Sequence, residues 1–443
     1  MIAWARHRGI FFLFNVLFVA LLIWLVTPLF DHRSANPSIL GRYSPGYAAY
    51  LAAWCALAGV YLVTAIAADR TINRNLFFAA AGVLAAAEIA VRWRGLGGYY
   101  TAQADPLRSP APFVHFTGEP HATFDGPPRM GGTEEERRIT LNALGLRGDI
   151  PPMPKNEYRV IVLGGSTVFN GAPLAKSIPG YLQEFLQRTR PNTRVYNWGV
   201  TSFVSGQELA LLTHFGSEYA PDLVVSYGGI NDIIGPYVYD PRPGYPYDWL
   251  VYETGVRMAR GGANLNTTIA SSLLRSRLAT SLFRDSLLTR LTSLDALRAN
   301  AGFDTPAWRQ QIATNYLGNL KKLCRVSEGL GAEFAAFLQP TVFTKHPLVG
   351  GEPVMLDRPA TQSHVAELYK AMRAGRHTIG GDRSTCTLDD VSDVLDGVTE
   401  QVFWDFAHVT NEGNRRIAQR IYERLSTSRA SLAAGSASVV DRN

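Results

Sequence analysis

Arg159-Val160-Ile161-Val162-Leu163-Gly164-Gly165-Ser166-Thr167 is a short apolar run that ends in two glycines and a serine. Val160, Ile161 and Val162 are β-branched and suit a strand, and the glycines break it into a turn. The pattern recurs. Arg194-Val195-Tyr196-Asn197-Trp198 precedes Gly199, Leu223-Val224-Val225-Ser226-Tyr227 precedes Gly228-Gly229, and Glu333 to Leu338 precedes Gln339-Pro340. Helical stretches lie between, notably Ile178 to Arg188 and Gln207 to Phe215. Short apolar strands alternating with helices predict an α/β domain with a parallel sheet covered on both faces. Functional residues of such sheets gather at the carboxyl ends of the strands. Ser166, Gly199 and Asn231 all fall just past predicted strand ends.

Near the end of the chain, Asp405-Phe406-Ala407-His408 precedes a last helix, predicted over Asn411 to Leu425 from Ile417, Ile421 and Leu425 at four-residue spacing. Ser166, His408 and Asp405 supply a nucleophile, a base and a carboxylate to orient the base, the parts needed for acyl transfer through serine. Two further blocks lie between them in order, Asn197-Trp198-Gly199 and Gly229-Ile230-Asn231-Asp232. Taken singly, each block has a plain reading. Gly-Gly-Ser is usually a turn, Asn-Asp after glycine a turn or helix cap, and Asp-x-x-His a surface pair. The order of all four, each at a strand end or helix start, favours a catalytic site. Asp232 is expected to be structural, and His115, His121, His214, His346, His364 and His377 are expected at the surface or in packing.

The four blocks resemble those of the SGNH hydrolases, also called the GDSL esterase/lipase superfamily, over Tyr158 to about Leu425. The resemblance implies a three-layer α/β/α domain, with Ser166 as nucleophile, His408 as general base and Asp405 orienting the imidazole. It implies an oxyanion hole made of the Ser166 and Gly199 backbone N–H groups and the Asn231 side-chain amide. One departure is Gly165, where the family motif has aspartate; it bears on the local turn and leaves the nucleophile in place.

Composition narrows the setting. Charged residues are 18% of the 443, below the roughly 25% of soluble domains, so part of the chain avoids water. The net charge of +6 comes mostly from arginine and forms no basic block interleaved with aromatics, which argues against nucleic acid. No paired C-x-x-C and no H-E-x-x-H occurs, and neither metal nor cofactor is expected. Cys55 lies in an apolar run, which leaves Cys324 and Cys386 as the soluble pair.

Three apolar segments, 10–30, 47–68 and 75–91, are candidate spans of a bilayer core about 30 Å thick. Glu88 and Arg92 stand four apart and could pair on one helix face. Arg6, Arg8, Arg70 and Arg74 on one side balance Arg33, Arg42, Arg92 and Arg94 on the other, so the positive-inside count is a tie. Giving weight to the first helix puts the N-terminus in the cytoplasm and the soluble region outside a bacterial inner membrane.

The expected organisation is a membrane region at 1–94, a Pro/Gly-rich extended linker at 95–157, a catalytic domain at 158–425 with an insertion at about 236–310, and a disordered tail at 426–443. The insertion opens with Tyr237, Tyr239, Tyr245, Tyr247, Trp249 and Tyr252, read either as a saccharide platform or as a pinned cap, the cap preferred. Its stripe of Leu274, Leu278, Leu282, Leu287, Leu291 and Leu294, with Arg275, Arg277, Arg284 and Arg290 around it, reads as a packed lid helix or one lying on anionic lipid. The functional expectation is a membrane-anchored serine esterase acting on acyl esters, acetyl among them, of an envelope glycan or lipid. An O-acyltransferase using the same acyl-enzyme, working with polysaccharide-biosynthesis partners, is the alternative. A non-catalytic glycan-binding or assembly protein is the third reading.

Overall fold

The structure is a computed structural model and describes residues 2–31, 34, 38–96, 106–148, 156–355, 359–380 and 386–440. Arg33 and the linker stretches 97–105 and 149–155 lie outside the described residues. The chain divides into two compact units, 1–103 with 250–298, and 104–249 with 299–443.

In the first unit, helices Ile2–Val26, Pro45–Ala67 and Arg70–Trp93 follow one another. Gly9–Asp31, Pro45–Ala67 and Arg70–Trp93 are long and apolar enough to cross a membrane. A polar group in hydrocarbon must find its partner within the protein. Asn15, fully buried, donates to Asn73 O and Oδ1 at 2.9 and 3.0 Å and accepts from Tyr61, so all three helices share one hydrogen-bonded knot. The expected Glu88–Arg92 pair forms, at 2.7 Å. Glu88 also accepts from Ser276 Oγ, Arg277 N and Leu278 N, closing the start of helix Arg277–Thr292 with an acid where the helix dipole favours one.

The leucine stripe is thus explained differently from a lid. Leu274, Leu287 and Leu291 pack with Phe283 against Leu22, Leu25 and Val26 of the first apolar helix. The insertion is therefore divided: 250–298 belongs with the apolar helices, and 236–249 and 299–310 stay with the second unit.

The second unit begins with the segment read from sequence as a linker, and it is packed. β1 (Ser109–Ala111) pairs with β2 (His115–Thr117), and β3 (Thr123–Asp125) with β4 (Arg138–Thr140), both antiparallel. The prolines mark turns, but Val114, Phe116, Ile139, Leu141 and Leu146 are buried, and full burial of such side chains stabilises by about 1.5–3 kcal/mol each.

The main sheet is formed by β5 (Tyr158–Gly164), β6 (Thr193–Gly199), β7 (Leu223–Gly228), β8 (Glu333–Leu338) and β9 (Thr387–Asp390), in the order β6-β5-β7-β8-β9, all parallel. Successive strand residues point to opposite faces. Ile161, Leu163, Val224 and Ala336 meet Leu211, Leu320 and Leu323 on one side; Val160, Val162, Val225 and Phe337 meet Leu182, Ile417 and Ile421 on the other. Helices Ser205–Tyr219 and Pro306–Gly329 make the first layer, Ile178–Gln187 and Asn411–Val440 the second. This is the three-layer α/β/α arrangement expected from the strand pattern.

Cys324 and Cys386 form a disulfide that ties helix Pro306–Gly329 to the start of β9. The last helix continues to Val440, past the expected end at Leu425, so the segment read as a disordered tail is helical over its described part. Among the residues whose side chains are described, Leu425 is the last of its core residues.

Candidate active site

β5 delivers its carboxyl end into a one-turn helix, Ser166–Phe169, with Ser166 its first residue. Buried Arg147, from the packed N-terminal segment, donates through Nη1 to Phe169 O at 2.5 Å and Gly171 O at 2.8 Å. It thereby fixes the turn behind the serine. The stretch Leu141 to Asp149, with Asn142, Gly145 and Arg147-Gly148, reads from sequence as docking on the domain that follows, and Arg147 makes that contact.

The loop with Asp405 and His408 is docked on the same turn. Asn170 Nδ2 donates to Val409 O at 2.8 Å, Asn411 Nδ2 to Ala172 O at 3.0 Å, and Val342 N to Phe406 O at 2.9 Å. Asp405 Oδ2 accepts from His408 Nδ1 at 2.7 Å, and Oδ1 from the backbone N–H of Ala407 and His408 at 2.9 and 2.8 Å. Burial alone would raise the Asp405 carboxyl, but the His408 ring and these N–H groups outweigh it and hold the pKa below the usual carboxylate range. Asp405 is thus a fixed anion that assigns the Nδ1 proton of His408 and leaves Nε2 as the basic atom. Among the described residues no hydrogen bond joins Ser166 to His408; in ligand-free sites this contact is often long.

Trp404 stacks on the His408 ring at 4.7 Å between centroids and 17° between planes, and its Nε1 donates to Val409 O. Behind the loop, Lys345 and Glu352 form a wholly buried ion pair at 2.7 Å. Glu352 Oε1 accepts from Val402 N and Phe403 N, so this pair anchors the segment that leads into the loop.

Asn231 opens helix Ile230–Val238 beyond β7 and donates Nδ2 to Phe203 O at 2.8 Å. A Cβ at Gly165 would lie 2.3 Å from that nitrogen, so glycine beside the serine is what lets the amide stand there.

Gly199 stands differently from expectation. Its N–H donates to Asn197 Oδ1 at 3.0 Å, and a Cβ there would lie 2.4 Å from Phe169 N. Its missing side chain serves the close approach of the Ser166 helix, and its N–H is already engaged. Three residues on, Ser202 has φ +64°, a left-handed conformation uncommon for a residue with a side chain. No described hydrogen bond uses its N–H, while its neighbour Phe203 holds Asn231. A serine in a loop carries no sequence signal for this conformation.

Under the loop lies a buried acidic pair. Asp232 accepts from Ser205 N at 3.0 Å and Ser205 Oγ at 2.5 Å, and Ser205 Oγ accepts from Asn319 Nδ2 at 3.0 Å. Asp232 is structural as expected: it clamps the start of helix Ser205–Tyr219 to the segment bearing Asn231. Glu208 accepts from Ser226 Oγ at 2.8 Å. Burial pushes Glu208 up to about 8 and Asp232 up to about 6, against the hydrogen bonds they accept. An acid whose folded pKa is raised holds its proton in the native state, so its contribution to stability falls as pH rises from the unfolded value to the folded one. The contribution of these two acids to stability should therefore decline between about pH 4 and 8, with Glu208 the larger part of it. Glu208→Gln is expected to flatten that slope in urea melts taken across this range. An unchanged slope would count against a protonated Glu208.

Of the remaining histidines, His364 is buried and stacks on Tyr237, while His214 is exposed and stacks on the exposed Phe113. The aromatic insertion is pinned to the domain, with Trp308 Nε1 donating to Pro241 O and Asn315 Nδ2 to Pro243 O.

The sequence matches no protein-family model and no curated protein. Among solved structures, it is similar to a protein described as an acylhydrolase from Bacteroides fragilis NCTC 9343, with 14% identity, 63% of this chain and 92% of that chain covered, and TM-score 0.33. The acetyl xylan esterase AlAXEase matches with 11% identity over 60% of this chain and 98% of its own, TM-score 0.34. A catalytic mutant of an acetylxylan esterase from Geobacillus stearothermophilus matches with 12% identity over 61% and 94%, TM-score 0.36.

Proposed function

We propose that the protein is a membrane-anchored serine esterase that removes acyl groups, acetyl among them, from a glycan or lipid of the cell envelope. The observation that carries this reading is the Asp405–His408 pair at 2.7 Å, on a loop tied through Asn170 to the turn bearing Ser166. In the proposed reaction His408 Nε2 takes the Ser166 proton as Oγ attacks the ester carbonyl. The tetrahedral oxyanion is met by the Ser166 N–H and Asn231 Nδ2, with Ser202 N–H taking the place first assigned to Gly199. Collapse expels the alcohol, protonated by His408, and leaves an acyl-enzyme. Water activated by His408 then releases the carboxylic acid.

Three apolar helices support membrane anchoring. The Cys324–Cys386 disulfide supports an oxidising compartment, hence an extracytoplasmic active site. The test is hydrolysis of p-nitrophenyl esters of increasing acyl length by the full chain in detergent, with product mass determined in the presence of a glycan acceptor. Release of free acid supports the esterase. Acyl transfer to the glycan would move the assignment to an O-acyltransferase, and a folded but inert protein would leave a binding role.

A further inference from the structure

Helices Leu265–Leu273 and Arg277–Thr292 dock on the three apolar helices at one end, the same end for all three. They meet the first near its carboxyl end. Trp24 Nε1 donates to Asn266 Oδ1 at 3.0 Å, Ser286 Oγ to Leu25 O at 2.7 Å, and Arg290 Nη2 to Trp24 O at 3.2 Å. They meet the second near its start, where Trp54 packs on Phe283 at 4.8 Å and the Tyr50 hydroxyl donates to Leu282 O at 3.2 Å. They meet the third near its carboxyl end, through Glu88. On the outside of the pair, Leu265 is 75% exposed and Leu282 39% exposed, and Arg275 and Arg284 are exposed too. The stretch 250–298 carries seven arginines and no lysine against three acids.

We propose that these two helices lie in the interfacial layer of the membrane, with Leu265 and Leu282 against acyl chains and the arginines gathering anionic phospholipid headgroups. This rests on the reading of the apolar helices as membrane spans. Given that reading, depth follows from geometry. At 1.5 Å per residue, Gly9–Asp31 reaches about 35 Å, slightly more than a hydrocarbon core of about 30 Å. Trp24 stands about 10 Å inside its carboxyl end, so helices that bond to Trp24 and Leu25 sit at the boundary of headgroups and acyl chains. Aromatic residues mark the same level. Tyr43, Tyr47 and Tyr50 stand at the start of the second span and exposed Trp93 at the end of the third, as in the belts that tyrosine and tryptophan form at bilayer interfaces.

A helix with an apolar face and a basic one binds such an interface with its apolar side chains sunk past the headgroups. The exposed leucines, adverse in water, are then covered by lipid. The attraction to an anionic leaflet acts on the summed charge over a Debye length, so it does not require any one guanidinium to be unpaired.

The experiment uses the full chain in lipid nanodiscs, in a Cys55→Ala background, with the fluorophore NBD on one new cysteine; Cys324 and Cys386 stay in their disulfide. Leu265→Cys and Leu282→Cys report on the docked helices. Leu57→Cys, exposed near the middle of helix Pro45–Ala67, reports on the span itself. Lipids spin-labelled near the headgroup or near the chain end read depth by quenching. Leu57 should be quenched most by the deep label, Leu265 and Leu282 most by the shallow one. A Leu57 site that neither label reaches refutes the spans and the proposal together. A deeply quenched Leu57 beside Leu265 and Leu282 sites that neither label reaches overturns the proposal and leaves the spans standing. At equal mole fraction, shallow-labelled phosphatidylglycerol should quench the Leu282 site about twofold more than shallow-labelled phosphatidylcholine. Arg275→Gln/Arg284→Gln, or about 0.5 M NaCl, should bring that ratio towards one. A ratio of one in the protein with its arginines intact also overturns the proposal. Thermal melts establish that each labelled variant is folded, and with two reporter sites the loss of one to misfolding leaves the other to decide.

Discussion

Ser166→Ala is expected to lower kcat for ester hydrolysis by at least about 10⁴-fold while leaving the protein folded. The size follows from the chemistry: without Oγ no acyl-enzyme can form, and only the oxyanion donors and substrate binding are left to favour attack by water. Folding should survive because Ser166 contributes its backbone to the short helix, where Asn170 N donates to its carbonyl, and no described hydrogen bond depends on its side chain. The measurement is steady-state hydrolysis of p-nitrophenyl acetate beside a thermal melt. Activity within tenfold of wild type, with an unchanged melt, would remove Ser166 from the mechanism and the triad with it.

Much of this site was legible in sequence because its parts are chemically conspicuous. A β-branched run can end only where something breaks it, and glycine pairs do so after β5 and β7. Serine, asparagine, aspartate and histidine at such ends stand out. β9 was not legible: Thr387-Leu388-Asp389-Asp390 has one apolar residue and two acids, the composition of a turn, and it is a strand only because β8 offers an edge.

The segment 106–148 misled for a related reason. Its strands are three residues long, too short for a period, and its prolines signal turns correctly while saying nothing of what Phe116 or Leu146 pack against. The leucine stripe at 274–294 reads as one helix, whereas Leu274 caps helix Leu265–Leu273, Arg277–Thr292 is broken at Phe283 and Leu294 opens a further helix; a stripe states only that something apolar covers it. The partner, Leu22 to Val26, lies some 250 residues earlier in the chain.

Gly199 shows the limit most clearly. A glycine after a strand can free an N–H for an oxyanion or allow a helix to approach. Asn197 decides between the two by taking the N–H, through a contact that local spacing does not announce.

The same close packing carries the second large expected effect. Asn231→Ala should lower kcat by about 10²–10³-fold, the loss seen when one oxyanion donor is removed from a comparable site. Gly165→Ala should fall in a similar range although residue 165 is itself neither nucleophile nor donor. A methyl at 165 would stand 2.3 Å from Asn231 Nδ2, and one of them has to move. Gly165 directly follows β5, a central strand of the sheet, and its carbonyl accepts from Val168 N and Phe169 N, so its backbone is held, and the amide is the softer partner and retreats by about 1 Å, a displacement that can lose 10²-fold in rate. Because both substitutions act through one amide, Gly165→Ala/Asn231→Ala should be little slower than Asn231→Ala alone. KM for a small neutral ester should change less than kcat in each case, since the amide meets charge that develops only in the transition state. Losses that multiply in the double variant would mean that Gly165 acts on catalysis by another route, through the Ser166 turn itself. An Asn231→Ala enzyme within threefold of wild type would place the oxyanion on the backbone donors of Ser166 and Ser202 alone.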